Sequence, residues 1–248
     1  MKEITSVNNN YIKDLIKLKQ KKYRDINKLF IVEGYNIIKE AKDYLNTILI
    51  SDKKKISEIK DNYKNIDIIL VTDEIINKLS STQTPQGIIG ICKYKEVSNI
   101  KGNVVMLDGL QDPGNIGTII RTAIAFGYNN IVLSEDSVDI YNDKVIRATQ
   151  GAIFKINIIR TNLLKLIEEL KKDNYNIIGT SLGDKSIDLD KLHVKAKHIL
   201  ILGNEGNGIS KEVLNVTDVN VFIPIDRQME SLNVGVAAGI MMYYLRNN

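Results

Sequence analysis

The stretch Asp108-Gly-Leu-Gln-Asp-Pro-Gly-Asn-Ile-Gly-Thr-Ile-Ile-Arg121 decides the fold of the chain. It follows the apolar run 104–107, which predicts a buried strand. Its Asp-Pro-Gly step predicts a turn, and apolar residues at helical spacing predict a helix that begins at Asn115 and ends at Gly127. A polar turn therefore lies at the carboxyl end of a strand and the amino end of a helix, where open parallel sheets bind ligands.

Arg121 is the only cation in this predicted helix, and its apolar neighbours indicate a buried side chain. The alternative is an ordinary strand–turn–helix connection that carries a surface arginine. This stretch alone leaves both interpretations open.

Length and composition are ordinary for a soluble globular protein, with 248 residues, 44% of them hydrophobic and 26% charged. The single cysteine, Cys92, excludes an internal disulfide and a cysteine-based metal site, and its apolar neighbours predict that it is buried and inert. We therefore expect no metal. No apolar run is long enough to cross a membrane, so we expect a cytoplasmic protein without a membrane partner.

The positive charge is confined to the first part of the chain. Residues 1–100 hold 18 Lys and Arg against 13 Asp and Glu, whereas residues 101–248 hold 16 against 17. A basic excess of this kind indicates a polyanion partner bound by the first part. The alternative is a genome that enriches Lys and Asn throughout its proteins.

Apolar runs alternate with helical patterns along the chain, which predicts an α/β protein. Residues 1–97 form one predicted domain, and within it residues 9–24 have the pattern of a single amphipathic helix with a basic face. Residues 101–248 form the second predicted domain. Its strands predict a mostly parallel sheet with helices on both faces.

Two further strand ends resemble the opening stretch in pattern, at residues 203–208 and 223–233. The glycine order in 203–208 is neither that of a dinucleotide-binding turn nor that of a P-loop, so these glycines indicate close approach of backbone to a ligand. Ser231 is expected to cap the last helix. The small residues 235–239 predict very close packing of that helix against another element.

Three motifs together carry a family resemblance. They are Asp112-Pro-Gly-Asn-Ile-Gly-Thr-Ile-Ile-Arg121, then Ile201-Leu-Gly-Asn-Glu-Gly-Asn-Gly-Ile209, then Ile223-Pro-Ile225 with Glu230-Ser-Leu-Asn-Val-Gly-Val-Ala237. In this order and spacing they resemble the SpoU (TrmH) family of RNA ribose 2′-O-methyltransferases, within the SPOUT superfamily. Residues 29–34 and 84–87 resemble the substrate-binding domain that precedes the catalytic domain in many members.

The resemblance implies a trefoil-knotted catalytic domain, an exception to the rule that chains are unknotted. The segments around 200–245 would form the knot. It also implies that the first domain is a smaller α/β substrate-binding domain of ribosomal-protein type. An obligate homodimer through the second domain is implied as well, with Arg121 of one subunit acting near the cofactor of the other.

The implied cofactor is S-adenosyl-L-methionine, held mainly by backbone groups. The implied cofactor-binding residues are Thr180, Leu202, Gly203, Ile223, Ile225 and Leu232. The implied catalytic residues are Asn115, Arg121, Glu205, Ser231 and Asn233. One departure is Gly235, where many members have a serine, and it removes one hydroxyl near the site.

The implied reaction is methylation of a ribose 2′-hydroxyl, which must lose its proton as it attacks the methyl group. Stabilisation of the developing alkoxide is therefore the main need. Because a free guanidinium stays protonated far above neutral pH, we interpret Arg121 as an electrostatic and orienting group, not a literal base.

The expected substrate is ribosomal RNA of the large subunit (23S), with transfer RNA as the alternative. Two other classes of function stay open at this point. One is a non-catalytic RNA-binding protein, against which the joint presence of all five catalytic residues argues. The other is a nucleotide-dependent enzyme acting on small molecules, against which the absence of dinucleotide and P-loop patterns argues.

Overall fold

The computed structural model describes residues 2–183, 185–194, 197–226 and 228–246. The strands in these ranges are β1 (Lys2–Ile4), β2 (Leu29–Glu33), β3 (Leu45–Ile50), β4 (Asp67–Val71), β5 (Ile88–Lys93), β6 (Val104–Asp108), β7 (Asn130–Leu133), β8 (Asn157–Arg160), β9 (Asn176–Thr180), β10 (Ile187–Asp188), β11 (His198–Gly203) and β12 (Val219–Phe222). The α-helices are α1 (Asn10–Lys17), α2 (Lys21–Asn27), α3 (Tyr35–Glu40), α4 (Ile56–Asn62), α5 (Asp73–Leu79), α6 (Pro113–Ala125), α7 (Asp143–Thr149), α8 (Leu163–Lys172), α9 (Lys211–Leu214) and α10 (Val234–Leu245).

The chain divides into two compact units. The first contains residues 1–96 and 139–154, and the second contains residues 97–138 and 155–248. The segment 139–154, which includes α7, thus belongs to the first unit although it lies between β7 and β8 of the second. The domains predicted from sequence, 1–97 and 101–248, do not include this exchange of a segment between the two units. The functions assigned to the two domains stay predictions.

The first unit is built on a mixed five-stranded sheet in the order β1-β4-β3-β5-β2. Strand β5 runs antiparallel to both β2 and β3, while β1 and β3 run parallel to β4. One face packs against α1 and α5 through Ile12, Leu15, Ile75 and Leu79, all of them buried. Burial of these apolar side chains stabilises the unit.

The segment 139–154 is fixed to the first unit by aromatic and charged contacts. The ring of Tyr141 stacks on Tyr94, with centroids 3.9 Å apart, and contacts Phe30 at 4.5 Å. Asp139 accepts hydrogen bonds from the buried guanidinium of Arg24. The segment therefore contributes to the core of the first unit, although more than 40 residues separate it in sequence from the rest of that unit.

The second unit contains a seven-stranded sheet in the order β10-β12-β9-β11-β6-β7-β8. Every strand pair described in it is parallel, which confirms the predicted mostly parallel sheet. Val104 and Met106 of β6 belong to a buried cluster with Ile167 of α8. Alternate residues of a strand point to opposite faces, and Val105 and Leu107 are equally buried, so both faces of β6 are covered.

Residues 9–24 do not form one helix, and that prediction is wrong. Helix α1 ends at Lys17 and α2 begins at Lys21. The backbone of Gln20 is extended, so the hydrogen-bond pattern of a single helix is interrupted there. The apolar stripe continues through the break because Leu18 stays buried.

The prediction for Cys92 is confirmed. Its side chain is completely buried in β5, and burial raises the pKa of the thiol. Among the described helices, none has the length and apolar character needed to span a membrane.

Candidate active site

Three of the predicted strand ends come together at one edge of the second sheet. The register of β11 against β6 places Gly203 opposite Asp108, where both strands end. The register of β12 against β9 places Thr180 opposite Val221. Since neighbouring parallel strands share their carboxyl edge, the turns that follow them surround one region.

A cavity of about 580 Å³ opens at this edge. Its volume lies within the range of roughly 300–1,000 Å³ that is usual for small-molecule sites. All six residues that the family resemblance implies for cofactor binding line it: Thr180, Leu202, Gly203, Ile223, Ile225 and Leu232. Glu205, Ser231 and Asn233 also line the cavity, whereas Asn115 and Arg121 are not among its lining residues.

The turn that carries Glu205 is a closed loop. The backbones of Asn204 and Gly208 exchange two hydrogen bonds of 2.9 Å, so Glu205 lies at the exposed tip between them. A Cβ atom on Gly203 would lie 2.1 Å from the backbone of Gly208 and Ile209. Only glycine therefore fits at position 203, and the loop folds back tightly onto the strand.

Glu205 begins a chain of side-chain hydrogen bonds that joins the three motifs. The Nδ2 atom of Asn115 donates to Oε1 of Glu205 at 2.8 Å. The Nδ2 atom of Asn233 donates to Oδ1 of Asn115 at 2.9 Å. We call Glu205, Asn115 and Asn233 the rim network, because it connects two residues of the cavity lining through Asn115.

Two helix amino termini hold the rim network. Asp112 caps α6 by accepting a 2.7 Å hydrogen bond from the backbone N–H of Asn115. Asn233 caps α10 by accepting from the N–H groups of Gly235 and Val236. The predicted cap, Ser231, is wrong, because it lies two residues before the actual cap in a segment that is not yet helical.

For Arg121, the sequence left a buried and an exposed side chain open, and the structure shows that it is exposed on α6. It lies six residues beyond Asn115, which puts it on a different side of the helix. Within the described ranges it makes no hydrogen bond or ion pair. The single chain therefore brings together four of the five predicted catalytic residues and leaves Arg121 apart.

The small residues of α10 pack against α6 of the same chain. A Cβ atom on Gly235 would lie 3.3 Å from Cγ2 of Thr118, and one on Gly239 would lie 3.6 Å from Cγ2 of Thr122. The predicted close packing is thus confirmed, with an intramolecular partner. Apolar side chains of the same helix stay exposed, namely Val236, Ile240 and Tyr243.

Sequence reasoning missed two polar residues at this edge. The carboxylate of Asp108 accepts hydrogen bonds from the N–H and the hydroxyl of Ser210, which fixes the start of α9. The side chain of Asn204 binds both its own turn and the backbone of Gly109. A polar residue directly after an apolar strand is the signal that identifies both. In the described part of the chain, no group of His, Cys, Asp and Glu is arranged to hold a metal.

The chain is similar to known proteins along its whole length. A model described as the SpoU rRNA Methylase family matches residues 102–243, and a model of the MRM3-like substrate binding domain matches residues 9–90. The chain is 36% identical to the 23S rRNA (guanosine(2553)-2′-O)-methyltransferase RlmP of Bacillus subtilis (strain 168), over 99% of this chain and 100% of that protein.

Two solved structures show the same fold. The AdoMet-bound rRNA methyltransferase from Sinorhizobium meliloti superposes with a TM-score of 0.89 at 29% identity, covering 99% of this chain and 97% of that one. A putative RNA methyltransferase of the TrmH family from Porphyromonas gingivalis gives 0.86 at 26% identity, covering 98% and 99%. The match of the family model to more than half of the residues, together with full-length identity of 36%, shows that the chain belongs to the SpoU rRNA methylase family.

Proposed function

We propose that the chain is an S-adenosyl-L-methionine-dependent methyltransferase that methylates a ribose 2′-hydroxyl in 23S ribosomal RNA. The observation that carries this proposal is the cavity at the sheet edge together with the rim network, two of whose residues line the cavity. The names of the relatives support the substrate class, because RlmP is named as a 23S rRNA 2′-O-methyltransferase.

The cavity suits S-adenosyl-L-methionine in size and chemistry. Its lining includes the apolar side chains of Leu202, Ile223, Ile225 and Leu232, which offer surfaces for an adenine ring. Thr180 and Gly203 add a hydroxyl and backbone groups for the ribose and the amino acid part. The cofactor, when bound, supplies a methyl group on an electrophilic sulfonium.

The residues of the rim network prepare the attacking ribose. Asn115 holds the carboxylate of Glu205 in one position, and Asn233 holds Asn115. A fixed carboxylate can accept a hydrogen bond from a ribose hydroxyl, orient it toward the methyl group and take up its proton as the oxygen attacks. Ser231, exposed in the cavity lining, offers a further donor for the alkoxide that develops.

Methyl transfer is tested by incubating the purified protein with S-adenosyl-L-methionine and 23S ribosomal RNA from a strain that lacks the gene. Digestion to nucleosides and mass spectrometry should then show one 2′-O-methylnucleoside. Transfer RNA from the same strain serves as the competing substrate. A methyl group on a base, or transfer to transfer RNA alone, would contradict the proposal.

We also propose that the enzyme works as a homodimer through the second unit, with Arg121 reaching the cavity of the partner. Three features support this: Arg121 is exposed, it makes no hydrogen bond or ion pair with the described residues of its own chain, and its helix α6 packs against α10, which carries exposed apolar side chains. An exposed apolar patch beside a site is typical of an association surface.

Mixing two inactive variants tests the shared site. Heterodimers of Arg121→Ala with Glu205→Gln contain one intact site if Arg121 acts across the dimer. Random exchange of subunits in a symmetric dimer should then restore about a quarter of wild-type activity. Absence of any recovery, with heterodimers demonstrated by mass spectrometry, would contradict the shared site.

We propose that residues 1–97 bind the RNA and residues 101–248 carry out the transfer. The basic excess of the first part supports this. Lys54 and Lys55 are exposed, and the ammonium of Lys55 lies 4.2 Å from the ring centre of Tyr35, so we expect this cation and ring to contact RNA. The double variant Lys54→Glu/Lys55→Glu should weaken RNA binding and leave cofactor binding unchanged. Equal RNA affinity in the variant would contradict the assignment.

The family resemblance supports two further proposals, a trefoil knot formed by residues around 200–245 and a cytoplasmic location. An experimental structure in which this segment does not pass through a loop of the chain would contradict the knot. Recovery of the protein in the membrane fraction after cell lysis would contradict the location.

A further inference from the structure

The side chain of Asn204 makes three hydrogen bonds at the start of the turn that carries Glu205, residues 204–208. Its Oδ1 atom accepts hydrogen bonds from the N–H groups of Gly206 at 2.9 Å and Asn207 at 3.3 Å. Its Nδ2 atom donates to the carbonyl of Gly109 at 2.8 Å. One side chain therefore both shapes the turn and fastens it to the segment that follows β6.

The carbonyl to which Asn204 binds is itself held in place. Gly109 has a φ of +69°, a conformation that favours glycine, and its N–H donates to Oγ of the buried Ser134 at 2.8 Å. Ser134 in turn contacts Oγ of Ser137 at 2.9 Å. The anchor point of the turn is thus part of a buried hydrogen-bond network.

Arg160 stabilises the loop that provides this network. Its guanidinium donates to the carbonyls of Glu135 at 2.9 Å and Ser137 at 2.7 Å, and also to that of Val138. Charge-assisted hydrogen bonds to several carbonyls fix a loop firmly, because each is stronger than a neutral one. Residues 134–138 therefore offer Gly109 a rigid support.

From these contacts we propose that Asn204 is a positioning residue for Glu205, which it holds in hydrogen-bond reach of Asn115 by fastening the turn to Gly109. The proposal rests on the proposed methyl transfer. A carboxylate at the tip of an exposed turn is otherwise free to move, and misplacement by about 1 Å can reduce a rate by about 100-fold. Asn204 acts through Glu205 and is not itself assigned to the reacting atoms.

The variant Asn204→Ser tests the proposal. A serine hydroxyl can still accept a hydrogen bond within the turn but is too short to reach Gly109. We expect a loss of about 10- to 100-fold in the single-turnover rate of methyl transfer, while the Kd for S-adenosyl-L-methionine changes by less than about threefold. Asn129→Ser, an exposed asparagine at the opposite edge of the sheet, is the matched control and should retain the wild-type rate.

A second background separates positioning from a general structural role. In Glu205→Gln the positioned carboxylate is already absent, so adding Asn204→Ser should reduce the remaining rate by less than about threefold. An equal loss in both backgrounds, or a large rise in the Kd for the cofactor with an unchanged rate at saturation, would overturn the proposal.

A crystal structure of Asn204→Ser gives a readout that does not depend on activity. We expect Oε1 of Glu205 to lie beyond hydrogen-bond distance of Nδ2 of Asn115. An unchanged distance of about 2.8 Å would overturn the positioning role. If the wild-type protein transferred no methyl group to RNA, the proposed function would fail, and this structure would still decide the role of Asn204.

Discussion

The two units each contain a polar network that ties distant parts of the sequence together, and the two networks lie in opposite environments. In the first unit, Arg24 and Asp139 form an ion pair whose side chains are only 6% and 13% exposed. In the second unit, Glu205 and Asn233 of the rim network are exposed, and no residue of it is fully buried. Polar side chains that join distant segments thus serve the fold in one unit and, we propose, the chemistry in the other.

Burial decides the difference. Arg24 also donates to the carbonyls of Leu18 and Lys19, so each nitrogen of its guanidinium has an acceptor. Removing one member leaves a buried charge without its partner, which is strongly destabilising. The rim network keeps its groups in water, where losing one bond costs little stability and leaves donors and acceptors free for a ligand.

The largest effect on stability is expected for Asp139→Ala. The variant leaves the guanidinium of Arg24 buried without its carboxylate, which should reduce the free energy of unfolding by about 3–5 kcal/mol. Urea denaturation of the full chain measures it. A loss below about 1 kcal/mol would contradict this prediction, because it would show that the guanidinium of Arg24 is well solvated without its carboxylate.

Arg121→Lys should affect activity alone. Arg121 is exposed and has no partner among the described residues of its chain, so stability should stay within about 0.5 kcal/mol of wild type. Turnover should fall by about 100-fold, because loss of one positioned donor to a developing alkoxide has effects of this order. Near-full turnover in the lysine variant would show that the forked geometry of arginine does not matter.

Asn233→Asp separates the two roles of one residue. The aspartate still accepts the N–H groups at the start of α10, so the cap and the stability are retained. It no longer donates to Asn115, and we expect the methylation rate to fall by about 10-fold.

The matched control is Asn142→Asp, the same change at the cap of α7 in the first unit. Its methylation rate should equal that of the wild type. A similar loss in both variants would indicate that the added charge, and not the lost donor, reduces the rate of Asn233→Asp.

The smallest effect is expected for Arg147→Ala in the first unit. Arg147 pairs with Asp143 at 2.8 Å, but the two side chains are 39% and 47% exposed. Solvent screening should limit the loss of stability to below about 0.5 kcal/mol.

The difference in stability between wild type and Arg147→Ala should also depend on pH. Burial raises the pKa of Asp143, but the hydrogen bonds from Arg147, Ser81 and the backbone of Lys144, together with the charge of Arg147, outweigh it and hold the pKa below its usual range. A lowered carboxyl pKa stabilises the fold above the unfolded value of about 3.9, and this contribution is lost as the pH falls through the folded value. Urea midpoints of wild type and variant should therefore converge below about pH 4. A constant difference down to pH 2 would contradict the ion pair as its cause.

Much of the second unit was predictable from local sequence. Apolar runs identify β6, β9 and β11, and the Gly- and Pro-marked turns after β6 and β11 identify the edge where the cavity lies. The sequence predicts the cap of α10 two residues too early, because Ser231 and Asn233 are both good caps and the hydrogen bond from Asn233 to Asn115 is not visible in local sequence.

The rest depended on contacts that are distant in sequence. Nothing in residues 139–154 indicates that they complete the first unit, since their partners Phe30 and Tyr94 lie in β2 and just after β5. Local sequence leaves the exposure of Arg121 open, because most of α6 is apolar and the polar side of the helix is narrow. Asn204 was missed because its partner Gly109 is 95 residues away.

The most direct test of the central claim measures two quantities on one preparation of Asn115→Ala, the methylation rate and the free energy of unfolding. The side chain of Asn115 joins Glu205 to Asn233. We predict that the single-turnover rate of ribose methylation falls by about 100-fold while stability changes by less than about 1 kcal/mol. A variant that methylates ribosomal RNA at the wild-type rate, or one that unfolds as readily as Asp139→Ala, would contradict the assignment of the rim network to catalysis.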